Sequence, residues 1–315
     1  MTILRDFEIP ARYRGGFAAI GNFDGVHRGH QSMIAVLVNR ARAAEVPAVV
    51  LTFDPHPIQL LRPGQAPPSL STLERKAELL KRAGVDLVIA YPTDTQLLNL
   101  APEAFFETIV REQLNAQGLV EGPNFFFGKD RAGDVETLQQ LCDAAGMTLD
   151  VVPPFALGDQ LVSSSVIRAA ISRGKFSTAI EMLGHSYRLQ GRVVRGEERG
   201  RTLGFPTANL DDVMTLLPSE GVYAGSSSVD GSNYPAAVNI GPNPTFGEQI
   251  RKIEVHIVGF SGDLYGEDFN VDLLEWMRGT VKFGGVEELK RQLANDVANA
   301  EAAFARVAEC SDGNQ

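Results

Sequence analysis

FAAIGNFDGVHRGH, residues 17–30, decides the fold. Four apolar residues at 17–20 read as a buried strand, a glycine-bearing turn follows, and a helix is expected over 29–44. The apolar run at 48–53 supplies the next strand, so the stretch is a βαβ unit. The pattern recurs with a helix over 72–83, a strand at 85–90, a helix over 102–113, and strands near Leu119 and Leu149. Right-handed crossovers that cover both faces make this a doubly wound, Rossmann-like α/β domain with a parallel sheet.

Beyond Arg188 the texture changes to short β-rich runs separated by Gly, Pro and Asn, at 188–194, 221–229, 234–240, 252–260 and 268–274. Val229-Asp230-Gly231-Ser232 is turn chemistry. A small antiparallel β-barrel is expected, followed by an amphipathic C-terminal helix over 286–307 with Leu289, Leu293, Val297, Ala300 and Phe304 near helical spacing. The domain boundary falls near 183–187, giving an amino-terminal domain of residues 1–183 and a carboxy-terminal domain of 184–315.

A length of 315 residues suits two domains, and 44% hydrophobic with 22% charged residues is a globular balance. No apolar run reaches the roughly 18 residues of a membrane span, and the first residues lack a secretory leader, so a cytoplasmic protein is expected. Two cysteines, Cys142 and Cys310, assemble neither a disulfide framework nor a thiolate metal site. A net charge of −10 argues against a nucleic-acid partner, while small phosphorylated ligands need only a few local donors. The pattern fixes no oligomeric state.

The turn at 21–30 lies where an open α/β sheet binds ligands, at a helix amino terminus that favours phosphate. His27 and His30 are suited to hydrogen-bond ATP phosphates and to stabilise charge as pyrophosphate leaves. The plain alternative is one exposed histidine and one that caps a turn. The segment resembles the nucleotidylyltransferase signature, in which an H-x-G-H motif binds ATP. That resemblance makes His27 and His30 catalytic and places Gly21, Phe23, Asp24 and Gly29 on the nucleotide; a Walker A loop is absent.

TFDPHP (52–57) and GPNFFFGKDRAGD (122–134) resemble the flavin-side loops of bacterial bifunctional FAD synthetases, which puts His56, Asn124 and Phe125 on the flavin. His56 is equally a proline-bracketed loop residue, and at least one of Phe125, Phe126 and Phe127 is expected in the core. Asn124 stands where many relatives have Asp. VSSSVIRAAI (162–171) resembles the family's second phosphate motif, with Ser163, Ser164 and Arg168 on phosphate oxygens. Helix capping explains the serines as well. Ser165 and Val166 replace the Thr and Arg common in relatives.

GRVVRGEERGRTLGFPTANL (191–210) resembles the riboflavin kinase signature. Gly196, Gly200 and Gly204 permit backbone approach to phosphates, and Arg199 and Arg201 add charge. Thr207 and Asn209 offer two neutral oxygens suited to Mg²⁺, although a proline turn with Asn209 on backbone is the plainer reading of the residues alone. In RKIEVHIVGF (251–260), Ile253, Val255 and Ile257 share one face and Glu254 and His256 the other. Pattern alone leaves Glu254 facing solvent; the resemblance makes it the catalytic base for the riboflavin 5′-hydroxyl. NIGPNPTFG (239–247) and DLYG (263–266) also match family segments; Arg278 matches a family arginine on the flavin side, and Thr280 lies where relatives carry Glu.

The resemblance covers nearly the whole chain and implies a bifunctional riboflavin kinase and FMN adenylyltransferase: ATP and riboflavin give FMN and ADP in the carboxy-terminal domain, and ATP and FMN give FAD and diphosphate in the amino-terminal one. ATP is co-substrate, Mg²⁺ the metal, and riboflavin, FMN and FAD the flavins. The competing expectations are a riboflavin kinase with an inactive first domain and a flavin-binding sensor without turnover.

Overall fold

The computed structural model describes residues 3–5, 8–197, 199–242 and 251–312. The side chains of Arg199 and Cys310, and residues 243–247 of NIGPNPTFG, lie outside the described residues. The chain separates into two compact units, Met1–Ser164 and Ser165–Gln315.

The first unit is built on β1 (Ile3–Leu4), β2 (Phe17–Ile20), β3 (Ala48–Asp54), β4 (Leu87–Pro92), β5 (Gly118–Glu121) and β6 (Thr148–Val151), all parallel, in the order β1-β4-β3-β2-β5-β6. Its helices are α1 (Arg28–Ala43), α2 (Pro57–Leu61), α3 (Leu73–Arg82), α4 (Thr95–Leu98), α5 (Pro102–Phe105) and α6 (Val135–Ala145). Strands β2 and β5 are buried along their whole length, which is why β2 reads as an apolar run rather than as alternation, while β5 ends in a buried carboxylate, Glu121. Phe17 and Ala19 face α1 and α3 through Ile34, Leu37 and Leu80, whereas Ala18 and Ile20 face the opposite layer with Phe105 and Ile109.

Strand order reverses at β2: the crossover through α1 leads to β3 on one side, and β5 lies on the other. The carboxyl ends of β2 and β5 therefore flank the crevice where such sheets hold ligands. The helix expected over 102–113 is α5 followed by π-helical backbone at Phe106–Gln113, a widening that apolar spacing does not distinguish from α. A small hairpin, β7 (Ala156–Leu157) with β8 (Gln160–Leu161), had no sequence signal of its own.

The second unit begins with α7 (Ser164–Ser172) and α8 (Phe176–Leu183). A closed antiparallel barrel follows: β9 (Tyr187–Val194), β10 (Ala208–Asp211), β11 (Gly221–Val229), β12 (Ser232–Gly241), β13 (Lys252–Ile257) and β14 (Asp268–Arg278), in the order β10-β13-β12-β11-β14-β9. In the chain α9 (Arg199–Leu203) lies between β9 and β10, and α10 (Val286–Asp312) follows β14. Alternation is clean on β9 and β13, as expected for a barrel with one buried face. Asp230 and Gly231 both take positive φ, +51° and +78°, so β11 and β12 join through a tight two-residue hairpin turn. On α10 the small residues Ala300 and Ala303 pack on Ala224, Ala237, Leu274 and Met277.

The boundary expected near Leu183 lies inside this unit. Phe176 of α8 stands edge-on to Tyr187 and Tyr223, at 6.4 and 5.0 Å between centroids, which ties the helix to the barrel. The strand missing from the sequence reading is β10, four residues whose Ala-Asn-Leu-Asp composition carries little β signal.

Candidate active sites

After Ile20 the chain turns through Phe23, Gly25 and Val26 with φ of +46°, +78° and +38° before α1 begins. Left-handed backbone is costly for bulky and β-branched residues, and burial of both side chains offsets the cost. Asp24 fixes the turn: its carboxylate accepts the Leu70 N–H at 2.9 Å and the Ser71 N–H at 3.2 Å, and the Gly25 N–H donates to Ser71 Oγ at 3.0 Å. That carboxylate, expected on the nucleotide, is committed to bracing the turn. Gly21 continues β2 by donating to the Leu51 carbonyl, and a Cβ there would lie 3.3 Å from the Phe23 ring.

His27 caps α1, its Nδ1 accepting the His30 N–H at 3.3 Å. The two rings stack, with centroids 3.6 Å apart and planes at 16°. Gly29 makes that stack possible, since a Cβ would lie 3.2 Å from the His27 ring. His30 Nδ1 is buried without a hydrogen-bond partner among the described residues. Burial, then the His27 charge, then the Lys76 charge hold its pKa well below that of an ordinary histidine, so His30 is neutral at physiological pH and presents one N–H donor. The serine-rich segment adjoins the turn: Ser164 Oγ donates to the Asp24 carbonyl at 2.9 Å, and Ser163 immediately precedes α7. Arg168, one turn further along α7, is partly buried and belongs to the second compact unit.

His56 caps α2, its Nδ1 accepting the Ile58 N–H at 3.1 Å. Asn124 is exposed in the turn after β5. Phe125 is partly buried and stacks on Phe127 at 5.5 Å, Phe127 enters the core, and Phe126 faces outward beneath the Arg131 guanidinium. Two features escaped the sequence reading. Lys76 is buried in α3 and bonded to Thr52, and Glu121 is buried at the end of β5 with Oε1 accepting the Ile20 N–H at 2.7 Å. A charged residue on the apolar side of a helix, or ending a buried strand, was the available signal.

In the barrel, Glu254 on β13 is flanked in register by Asn209 on β10 and Asn239 on β12, and Asn239 Nδ2 lies 3.4 Å from Glu254 Oε2. Directly opposed residues share a sheet face, so the three polar side chains form one row. The segment 195–206 folds over this row. A Cβ at Gly196 would lie 2.6 Å from Asn209 Cγ, and one at Gly200 would run into the Phe205 carbonyl oxygen, so both glycines are required by close approach. Gly204 takes φ +89° where the chain turns into β10. His256, on the face of Glu254, is held 2.7 Å from the Pro206 carbonyl. A cavity of about 550 Å³ is lined by residues that include Arg201, Thr207, Asp263 and Tyr265, together with Val255 and Ile257 from the face of β13 opposite Glu254. Arg278 is held by α10: its Nε and Nη2 donate to the two oxygens of buried Asp296.

The family model described as FAD synthetase matches residues 9–166, and that described as riboflavin kinase matches residues 183–304. A bifunctional riboflavin kinase/FMN adenylyltransferase from Pseudomonas fluorescens is 38% identical over 92% of this chain and 93% of its own. The protein of the same name from Escherichia coli (strain K12) is 35% identical over 93% and 94%. A solved structure from Streptococcus pneumoniae, titled a macrolide-efflux protein, matches with a TM-score of 0.81 at 31% identity, covering 94% of this chain and 96% of that one. Efflux is said of that protein; among the described residues here no helix is long and apolar enough to cross a membrane. With a matching model on each half and relatives aligned over nearly their whole length, the chain belongs to the bifunctional riboflavin kinase/FMN adenylyltransferase family.

Proposed function

We propose that this protein phosphorylates riboflavin to FMN and joins FMN to AMP to give FAD, the first step in the barrel domain (184–315) and the second in the α/β domain (1–183). The observation that carries the reading is the row Asn209, Glu254, Asn239, with Gly196 of the glycine-rich segment packed directly on Asn209. Glu254 accepts the proton of the riboflavin 5′-hydroxyl as its oxygen attacks the γ-phosphorus of ATP and ADP departs. Thr207 and Asn209 fit Mg²⁺: they are neutral oxygen donors, and the absence of a side chain at Gly196 keeps the approach to Asn209 open. Mg²⁺ bound there neutralises nucleotide phosphate charge.

In the α/β domain an FMN phosphate oxygen attacks the α-phosphorus of a second ATP, and diphosphate leaves. His27 and neutral His30, at the amino terminus of α1, direct N–H groups and the helix dipole at the charge that develops. Ser163, Ser164 and Arg168 hold phosphate oxygens, and His56, Asn124 and Phe125 bound the flavin. A cytosolic setting goes with these soluble substrates. The test is a product time course from riboflavin, ATP and Mg²⁺ that resolves FMN from FAD. FMN should appear first and FAD after it; absence of FAD and diphosphate from added FMN would end the two-step reading.

A further inference from the structure

Lys76 stands in the first turn of α3, where the helix dipole favours an anion over a cation. It is nevertheless buried, with 9% of its surface exposed. Its Nζ donates to Thr52 Oγ1 at 3.1 Å, and among the described residues no carboxylate lies at ion-pair distance. Thr52, fully buried at the end of β3, in turn donates to the Asn22 carbonyl at 3.2 Å. A continuous relay therefore runs from α3 under β3 into the turn that carries the histidine pair.

The charged groups that act on Lys76 are few: burial lowers its pKa, and the Asp24 and Asp54 carboxylates draw it back up. Asp24 is already held by the backbone of residues 70 and 71. Lys76 in turn acts on His30, together with the stacked His27. A buried, hydrogen-bonded cation at this position is costly to keep unless it serves its neighbours.

We propose that Lys76 is a positioning residue for adenylyl transfer: through Thr52 it fixes the Asn22 carbonyl and hence the turn bearing His27 and His30, and it places a positive charge behind His30. That charge adds to burial and to His27 in disfavouring imidazolium, so His30 meets the polyphosphate as a neutral N–H donor. Thr52 lies between Lys76 and the turn, so Lys76 acts without touching substrate. The inference rests on reading the His27 and His30 turn as the adenylyl-transfer site.

The experiment uses the full chain and three variants, K76M, T52V and H30A, assayed for FAD formation from FMN, ATP and Mg²⁺, with the His30 imidazole titration followed by NMR. K76M should lose roughly a hundredfold in kcat with a smaller change in KM for ATP, and its His30 titration should move to higher pH. T52V, which severs the relay and keeps the charge, should lower kcat while leaving that titration in place. Wild-type kcat in K76M, or a His30 titration that does not move in it, overturns the proposal. If K76M does not fold, T52V decides, and wild-type kcat there overturns the relay. H30A separates the two readings: undiminished FAD formation by H30A removes the site itself, whereas an inactive H30A beside a fully active K76M overturns only the role of Lys76.

Discussion

Glu254 on β13 is the direct cross-strand partner of Asn209 on β10, so the expected base and an expected metal ligand project from one face of the barrel. Strand pairing, rather than loop closure, sets their separation. This makes the kinase geometry a property of the scaffold, and it places the consequences of mutation in one step of two.

Glu254→Gln keeps the shape of the row and removes the proton acceptor. FMN formation should fall by about 10²–10⁴-fold, while FAD formation from added FMN stays at the wild-type rate because that chemistry lies in the other unit. Separate assays of the two half-reactions check this. Equal loss in both would mean that the two steps share a site.

Asp296 grips the Arg278 guanidinium at 2.9 and 2.6 Å, and Gln292 adds a bond to the same carboxylate at 2.9 Å. The carboxylate is almost wholly buried, and the arginine side chain is 21% exposed. Asp296→Ala leaves a mostly buried cation without its partner and should destabilise the barrel by about 3 kcal/mol. It should also raise KM for riboflavin, since Arg278 loses its anchor. Denaturant unfolding and initial rates give the two numbers, and an Arg278→Met/Asp296→Leu double variant should recover most of the stability but not the KM.

Glu121 carries a carboxyl whose pKa burial raises well above the ordinary value of 4.5, against the opposing pull of the Ile20 N–H. The folded state therefore holds this proton more tightly than the unfolded chain. Its contribution to stability is complete below the unfolded pKa and declines as pH rises towards the folded one. Glu121→Gln retains an acceptor for Ile20 and does not titrate. The variant should gain on the wild type as pH rises above the ordinary carboxyl value of 4.5, read as a widening difference in Tm across neutral pH. A constant difference across that range would show that the fold does not shift the Glu121 pKa.

Much of this was legible in the chain. Apolar runs marked β2 and β3 because both sheet faces are covered, and alternation marked β13 because one barrel face is not. Histidine spacing with Gly29 marked the turn before α1, and the glycines before Thr207 marked a segment that packs closely on Asn209. What stayed hidden depends on tertiary partners. The N–H groups of residues 70 and 71 that hold the Asp24 carboxylate, the Thr52 hydroxyl that meets Lys76, and Asp296 on α10 that grips Arg278 all come from distant positions. β10 is four residues long and is stabilised by its neighbours on both sides rather than by composition.

The same dependence on partners governs where the barrel can be cut free. Phe176 on α8 is 2% exposed and lies edge-on to Tyr187 and Tyr223, and Ala179, Met182 and Leu183 of the same helix are buried as well. A fragment of residues 184–315 exposes the two tyrosines that α8 covers, whereas one of residues 165–315 keeps them packed. Losing the Phe176 side chain alone is comparable with a core Phe→Ala change, about 3–5 kcal/mol. The longer fragment should therefore phosphorylate riboflavin with the rate of the full chain and unfold cooperatively, and the shorter one should melt at least several degrees lower. Equal Tm for the two fragments would show that α8 contributes nothing to the barrel and that the boundary lies at residue 183.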